Sequence, residues 1–248
     1  MDRQPFFSII VPAHNEEGYI EQTLAHLAAL QYPKESFEVI VVENGSTDST
    51  LERARQFVTN GGATHANMTV LSVPSAGVSA ARNAGAACAQ KDADWVLFLD
   101  ADTHIKPEFF NHVVSFLAAQ NEKHFVVGTA SLWPWPHTYF MAFWYSWSNL
   151  GVYLRRSTYA GLLLVKHDLL KKGVRFDETM SVGEDLRFSN EAKKSGKSFF
   201  MWTKQAHTST RRYAKGDWYK FPMWVGVWFF AMMVPIHVQR RFKYKVAR

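Results

Sequence analysis

The chain has 248 residues, 47% of them hydrophobic and 20% charged, which is enough apolar material for a buried core and excludes a disordered chain. Its formal charge of +6 is unevenly placed. Residues 1–203 hold 18 Lys and Arg against 21 Asp and Glu, and residues 204–248 hold 10 against the single Asp217, so a nucleic-acid groove spread over the whole fold is excluded.

Phe6–Val11 is a short, wholly apolar run that reads as a buried strand, and Glu16–Leu30 repeats Ile20, Leu24, Leu27 and Leu30 at a helical period. Phe37–Val42 predicts a second strand. Gly45–Asp48 predicts a turn whose Ser46 or Asp48 caps a helix carrying Leu51, Ala54 and Val58, stopped at Asn60-Gly61-Gly62. Met68–Val73 predicts a third strand and Gly77–Gln90 an Ala-rich helix small enough in side chain to pack closely on a sheet. Trp95–Leu99 predicts a fourth strand, Pro107–Leu117 a helix, His124–Gly128 a strand, Glu184–Lys194 a helix and Phe199–Thr203 a last strand. Apolar strands alternating with helices predict an α/β fold with a mostly parallel, Rossmann-like sheet flanked by helices, and ligands bind such sheets at the carboxyl ends of the strands.

Polar residues recur at those strand ends. They are Pro12-Ala13-His14-Asn15-Glu16-Glu17, Glu43-Asn44-Gly45-Ser46-Thr47-Asp48, Gly77-Val78-Ser79-Ala80-Ala81-Arg82-Asn83, and Asp100-Ala101-Asp102. Carboxylates at strand ends suit a base or ribose, an arginine suits a phosphate, and two acids spaced i, i+2 suit a divalent cation that keeps sites for phosphates. No G-x-G-x-x-G follows the first strand and no G-x-x-x-x-G-K-[ST] occurs, which excludes the dinucleotide fingerprint and the P-loop.

These four loops, together with Phe176-Asp177-Glu178 and Gly183-Glu184-Asp185-Leu186-Arg187-Phe188 downstream, resemble the motifs of family 2 glycosyltransferases of the GT-A fold, in the family's order and over about Phe6 to Gly196. The resemblance implies inverting transfer of a sugar from a nucleoside-diphosphate donor. It implies that Pro12, Ala13, Asn15 and Glu16 line the nucleotide pocket, that Glu43 holds base or ribose with Asn44 beside it, and that Arg82 contacts the base or pyrophosphate. Asp100, with Ala101 beside it, would approach the ribose or sugar. Asp102 would bind Mg²⁺ or Mn²⁺ with Asp100 as the second carboxylate. Asp185 would be the general base, with Glu184 the less favoured choice. By analogy with GT-A enzymes in which a histidine after the last strand completes the metal shell, His207 is a candidate ligand, and Arg211 and Arg212 would close over the diphosphate. The family's commoner pattern has two aspartates where this chain has Glu43-Asn44, which bears on the nucleobase more than on the reaction.

The end of the chain has a different character. Trp133–Leu154 carries no Asp, Glu, Lys or Arg and is rich in aromatics, suiting either an acceptor wall or core packing. Phe221–Val238 is 18 residues without a formal charge, followed by Arg240, Arg241, Lys243, Lys245 and Arg248. Catalytic body and basic tail both belong on the cytoplasmic side, so the expectation is a catalytic domain over 1–203 and a basic, aromatic segment over 204–248 that lies in the membrane interface without crossing it. Cys88 is the single cysteine, and Met1–Pro5 precedes an apolar run too short for a signal peptide, so a cytoplasmic location, at the inner face of the membrane, is expected. The expected partners are a nucleotide sugar and a glycan or lipid-linked acceptor. A polyprenyl-phosphate sugar synthase and a non-catalytic nucleotide-sugar-binding protein are the competing readings.

Overall fold

The computed structural model describes residues 3–60, 67–74, 77–120, 124–180 and 183–211. In chain order come β1 (Phe7–Ala13), α1 (Ile20–Ala28), β2 (Phe37–Asn44), α2 (Thr50–Thr59), β3 (Asn67–Val73), α3 (Val78–Cys88) and β4 (Trp95–Leu99). There follow β5 (Thr103–Ile105), α4 (Phe109–Ala119), β6 (Phe125–Ala130), β7 (Trp133–Trp135), α5 (Tyr139–Leu154), β8 (Leu162–Lys166), α6 (His167–Lys171), α7 (Glu184–Ala192), β9 (Lys197–Met201) and β10 (Ala206–Ser209).

Seven strands form one sheet in the order β3-β2-β1-β4-β8-β6-β9, with helices on both faces. The β1–β2, β2–β3, β1–β4 and β6–β9 pairs are parallel, while β8 runs antiparallel to both β4 and β6. The sheet is therefore mixed, and β8 is a strand the sequence reading did not anticipate. Every residue of β1 and β4 is buried, as expected of strands covered on both faces.

The strand order reverses beside β1, and that switch point opens for a local reason. β1 pairs with β2 as far as Ala13 but with β4 only as far as Ile10↔Phe98. Pro12 lies just past that point, where its missing N–H removes a ladder donor. The carboxyl ends of β1 and β4 thus part, leaving a crevice between the loops that follow them. A second, three-stranded sheet, β5-β10-β7, lies beyond β4. β10 and Arg211 fall after residue 203 yet belong to this body, so the folded unit extends past the expected boundary.

No helix among the described residues is long and apolar enough to cross a membrane. The Phe221–Val238 segment and the basic tail lie outside the described residues.

Candidate functional site

The first cluster forms where β1, β5 and β10 meet. Glu16 follows β1, and its backbone carbonyl accepts from Tyr19 and Ile20 N–H to start α1. Its buried carboxylate meets Arg211, with Oε1 2.5 Å from Nη2. The same Nη2 lies 3.1 Å from Oδ2 of the buried Asp102. The guanidinium also covers the Tyr19 ring at 4.4 Å. Burial works against the Arg211 charge, but Glu16 and Asp102 outweigh it and raise its pKa further. The backbone fixes this geometry, because Ser209 N–H donates to the Asp102 carbonyl at 2.9 Å and so ties β10 to the acidic turn.

The second cluster surrounds Arg82 on α3. Its side chain is 2% exposed and bonds Asp100 Oδ1 at 3.0 Å, Glu184 Oε1 at 3.3 Å and the Ala160 carbonyl at 3.3 Å. Burial opposes the charge, but Asp100, Glu184 and Asp185 together raise the pKa. Asp185, one residue into α7, is pushed up to about 7, first by burial and then by the negative charge of Glu184; the Leu186 N–H and Arg82 pull the other way. A carboxylate poised near neutrality suits a general base. Gly183, at φ 77°, provides the left-handed turn that starts α7 at these two acids.

The remaining expected residues shape the loops. Glu43 is buried at the end of β2; Ser46 N–H donates to Oε1 at 2.5 Å and Ser72 Oγ to Oε2 at 2.7 Å. Burial would push this carboxyl up, but those donors hold it below the ordinary range. The Asn44 amide, oriented by its partners, donates to the Ala13 carbonyl at 2.9 Å and accepts from Gly77 N–H at 3.1 Å. It therefore staples the β1, β2 and α3 loops to one another. Asn15 sits at φ 56°, its N–H donating to Ser46 Oγ and its Oδ1 accepting from Thr47 N–H at 2.9 Å. Pro12, Ala13 and Ala101 are buried, and the Ala101 carbonyl accepts from Thr23 Oγ1 at 2.5 Å. Asp48, not Ser46, serves the start of α2, accepting from Thr50 N–H at 3.0 Å.

The structure brings Glu16, Asp102 and Arg211 together, and Arg82, Asp100, Glu184 and Asp185 together. His207 lies on the strand that leads to Arg211. On β10 that residue pairs with His104 and Trp133, and its pKa is lowered by burial and by Lys106, His137 and His26. Among the described residues no three His, Cys, Asp or Glu side chains converge as a ready cation cage. Arg212 lies outside the described residues.

Asn83 had no assigned role in the sequence reading, though it adjoins Arg82 in the same motif. Its Nδ2 donates to the Phe176 carbonyl at 3.0 Å and to Glu178 at 2.8 Å, and its Oδ1 accepts from Phe176 N–H at 2.9 Å. The Phe176 ring stacks on Phe188 of α7 at 4.2 Å, so α3, the 176–178 segment and α7 form one support beneath Asp185. Gly161 is a further contributor. Its carbonyl accepts from Asp100 N–H, and a Cβ there would stand 2.9 Å from Asp100 Oδ2.

The model of Glycosyl transferase family 2 matches residues 8–147, more than half of the chain, and the chain belongs to that family. The poly(ribitol-phosphate) beta-N-acetylglucosaminyltransferase TarS of Staphylococcus aureus is 35% identical over 111 residues, covering 45% of this chain and 18% of TarS. The glycosyltransferase AglE of Haloferax volcanii is 36% identical over 115 residues, covering 46% of this chain and 36% of AglE. The chain thus spans well under half the length of either relative. Among solved structures, S. aureus TarS 1–349 in complex with UDP-GlcNAc superposes with a TM-score of 0.65 at 24% identity, covering 83% of this chain and 59% of that one. The mannosyltransferase PcManGT of Pyrobaculum calidifontis, in complex with GDP-Man and Mn²⁺, superposes with a TM-score of 0.65 at 18% identity, covering 86% and 59%. These likenesses establish a shared fold.

Proposed function

We propose that this member of glycosyltransferase family 2 moves a sugar from a nucleoside-diphosphate donor to a hydroxyl of a polysaccharide or lipid-linked acceptor, with inversion, in a single displacement. The observation that carries this reading is the convergence of two acid–arginine clusters at the sheet's switch point: Glu16 and Asp102 on Arg211, and Asp100, Glu184 and Asp185 on Arg82. TarS, by name a poly(ribitol-phosphate) transferase and solved with UDP-GlcNAc, makes a uridine diphosphate donor and a polymer acceptor the first to test.

The donor set fits Mg²⁺ or Mn²⁺. Asp102 is buried and already faces a cation in Arg211, and Glu16 Oε2 is a buried oxygen with no hydrogen-bond donor among the described residues. Such oxygens suit a hard divalent ion that draws its remaining ligands from phosphates and water. Asp102, with Asp100 as second carboxylate, would hold it, and when bound it supplies Lewis-acid stabilisation of the departing diphosphate. Arg211 adds a fixed positive charge at the same place. Asp185 takes the proton of the attacking hydroxyl, for which a positioned carboxylate contributes roughly 10²–10⁴-fold. Glu43, Asn44 and Asn15 hold the nucleotide loops in shape around it. We place the basic, aromatic end of the chain at the cytoplasmic membrane surface.

A thermal-shift panel of UDP-, GDP-, CMP- and dTDP-sugars with and without Mn²⁺ tests the donor site, since a ligand of the native state alone raises stability by RT ln(1 + [L]/Kd). One nucleotide class should raise the melting temperature, more so with Mn²⁺, and Asp102→Asn should remove the metal increment. An unmoved melting temperature with every nucleotide would refute the donor site. Full activity in Asp185→Asn would instead assign a phosphate acceptor, which needs little base help.

A further inference from the structure

We infer that the exposed aromatic face of α5, continued by Trp202 at the end of β9, docks on an anionic lipid surface. The inference rests on the membrane-surface reading above and specifies which part of the folded body meets the lipid.

α5 is turned the unusual way round. Its N-terminus is capped by Thr138, whose hydroxyl accepts from Met141 N–H, and it buries Met141, Asn149 and Val152. Asn149 is locked to Leu132 by bonds to both its N–H and carbonyl, at 3.0 and 2.9 Å, which fixes the helix's rotation. Phe140, Phe143, Trp147, Leu150 and Leu154 are then left exposed. Their spacing alternates three and four residues, so they form one stripe along the helix. Tyr153 carries the stripe sideways onto the sheet edge, where its ring meets Phe200 at 5.9 Å and Trp202 at 5.8 Å. Exposure is substantial: 58% for Trp147, 68% for Leu154, 92% for Tyr139. Contiguous apolar area of this kind marks an interaction surface.

Charge selects the occupant. Residues 133–156 and 197–211, which supply this face, contain no Asp or Glu. Arg155 and Arg156 close the end of α5, and Lys204 stands two residues past Trp202; all three are exposed. Trp and Tyr on an apolar stripe with a cationic rim and no acids match an anionic bilayer interface. A second protein of ordinary surface charge has no such one-sided preference. Thr210 N–H donates to the Trp135 carbonyl at 2.8 Å, so the last described residues lie at the edge of this same face.

The face also adjoins the proposed site. β10 carries both the Ser209 bond to Asp102 and the pairing with β7 that introduces α5. A lipid-linked acceptor held in the membrane plane would therefore reach the site along β7 and β10 without leaving the surface.

The full-length chain tests this. In a Cys88→Ser background, Trp147→Cys is labelled with an environment-sensitive fluorophore and mixed with phosphatidylcholine vesicles, with or without phosphatidylglycerol. Emission should shift to the blue with anionic vesicles only, and the shift should weaken in high salt. Phe143→Ser with Trp147→Ser should bind those vesicles roughly tenfold more weakly, with an unchanged nucleotide-dependent melting temperature. Co-sedimentation without a blue shift would mean that the tail alone binds, and would overturn the inference while sparing the membrane reading. A label already blue without lipid would assign the face to the chain's own apolar segment, or to a second copy if the mass doubles; either overturns it. A chain that binds no vesicle sinks both, whereas loss of the nucleotide response alone touches only the donor site.

Discussion

Asp185 and Glu184 are neighbours at the head of one helix, and Arg82 is the cation that allows both to be there. Burial and Glu184 raise the Asp185 pKa to about 7, so below that pH the proposed base carries its proton and is idle. The expected kcat/KM profile therefore rises about tenfold per pH unit below 7 and levels above it. Glu184→Gln removes the like charge, so the Asp185 pKa falls and the rising limb moves to lower pH; a pH–rate series on wild type and variant measures the displacement. A limb that stays put, or moves upward, would count against Asp185 as the titrating group. Asp185→Asn should cost roughly 10²–10⁴ in kcat with donor affinity kept. The acids were legible in the sequence because each closes an apolar run or opens a helix. Arg82's partners were not, since Asp100, Glu184 and the Ala160 carbonyl are far from it in sequence and meet it only once α3 and α7 lie against the same sheet end.

Elements with their own periodicity were readable, and elements defined by their partners were not. β1 through β4 and the helices between them stand within a few residues of their predicted spans, because a covered parallel strand needs a continuous apolar run. β8 runs straight into α6, and a short apolar run without turn residues at its end does not declare itself as a strand. β5, β7 and β10 are three or four residues each, with polar or aromatic members, and exist through mutual pairing. The predicted close packing of α3 has a specific cause. A Cβ on Gly85 would overlap the methyls of Ile10 on β1 and Val42 on β2. Gly85→Ala should therefore destabilise by about 1–3 kcal/mol, despite alanine's better helix propensity, as read from the urea midpoint. A gain in stability would show that α3 can move away from the sheet.

At the scale of the molecule, β10 and Arg211 bring the first residues of the basic end into the acidic body. The position of β8 has a further consequence, and it is kinetic. β1 to β4 are linked by single intervening helices and can assemble from neighbouring chain, but β8 pairs Trp95↔Lys166 across all of β5, α4, β6, β7 and α5. It is also the strand through which β6 and β9 join the rest of the sheet. Contacts of such long range are costly to close early, so the N-terminal half should organise first and β8 should seal the sheet late. Leu163→Ala, which removes a fully buried side chain of β8, should then speed unfolding and leave the folding rate nearly unchanged, whereas Ile10→Val in β1 should slow folding. Chevron plots of the two variants decide the order, and equal folding-rate losses would contradict it. On this order of assembly, the crevice between β1 and β4 precedes the surface that brings α7 and its base over it.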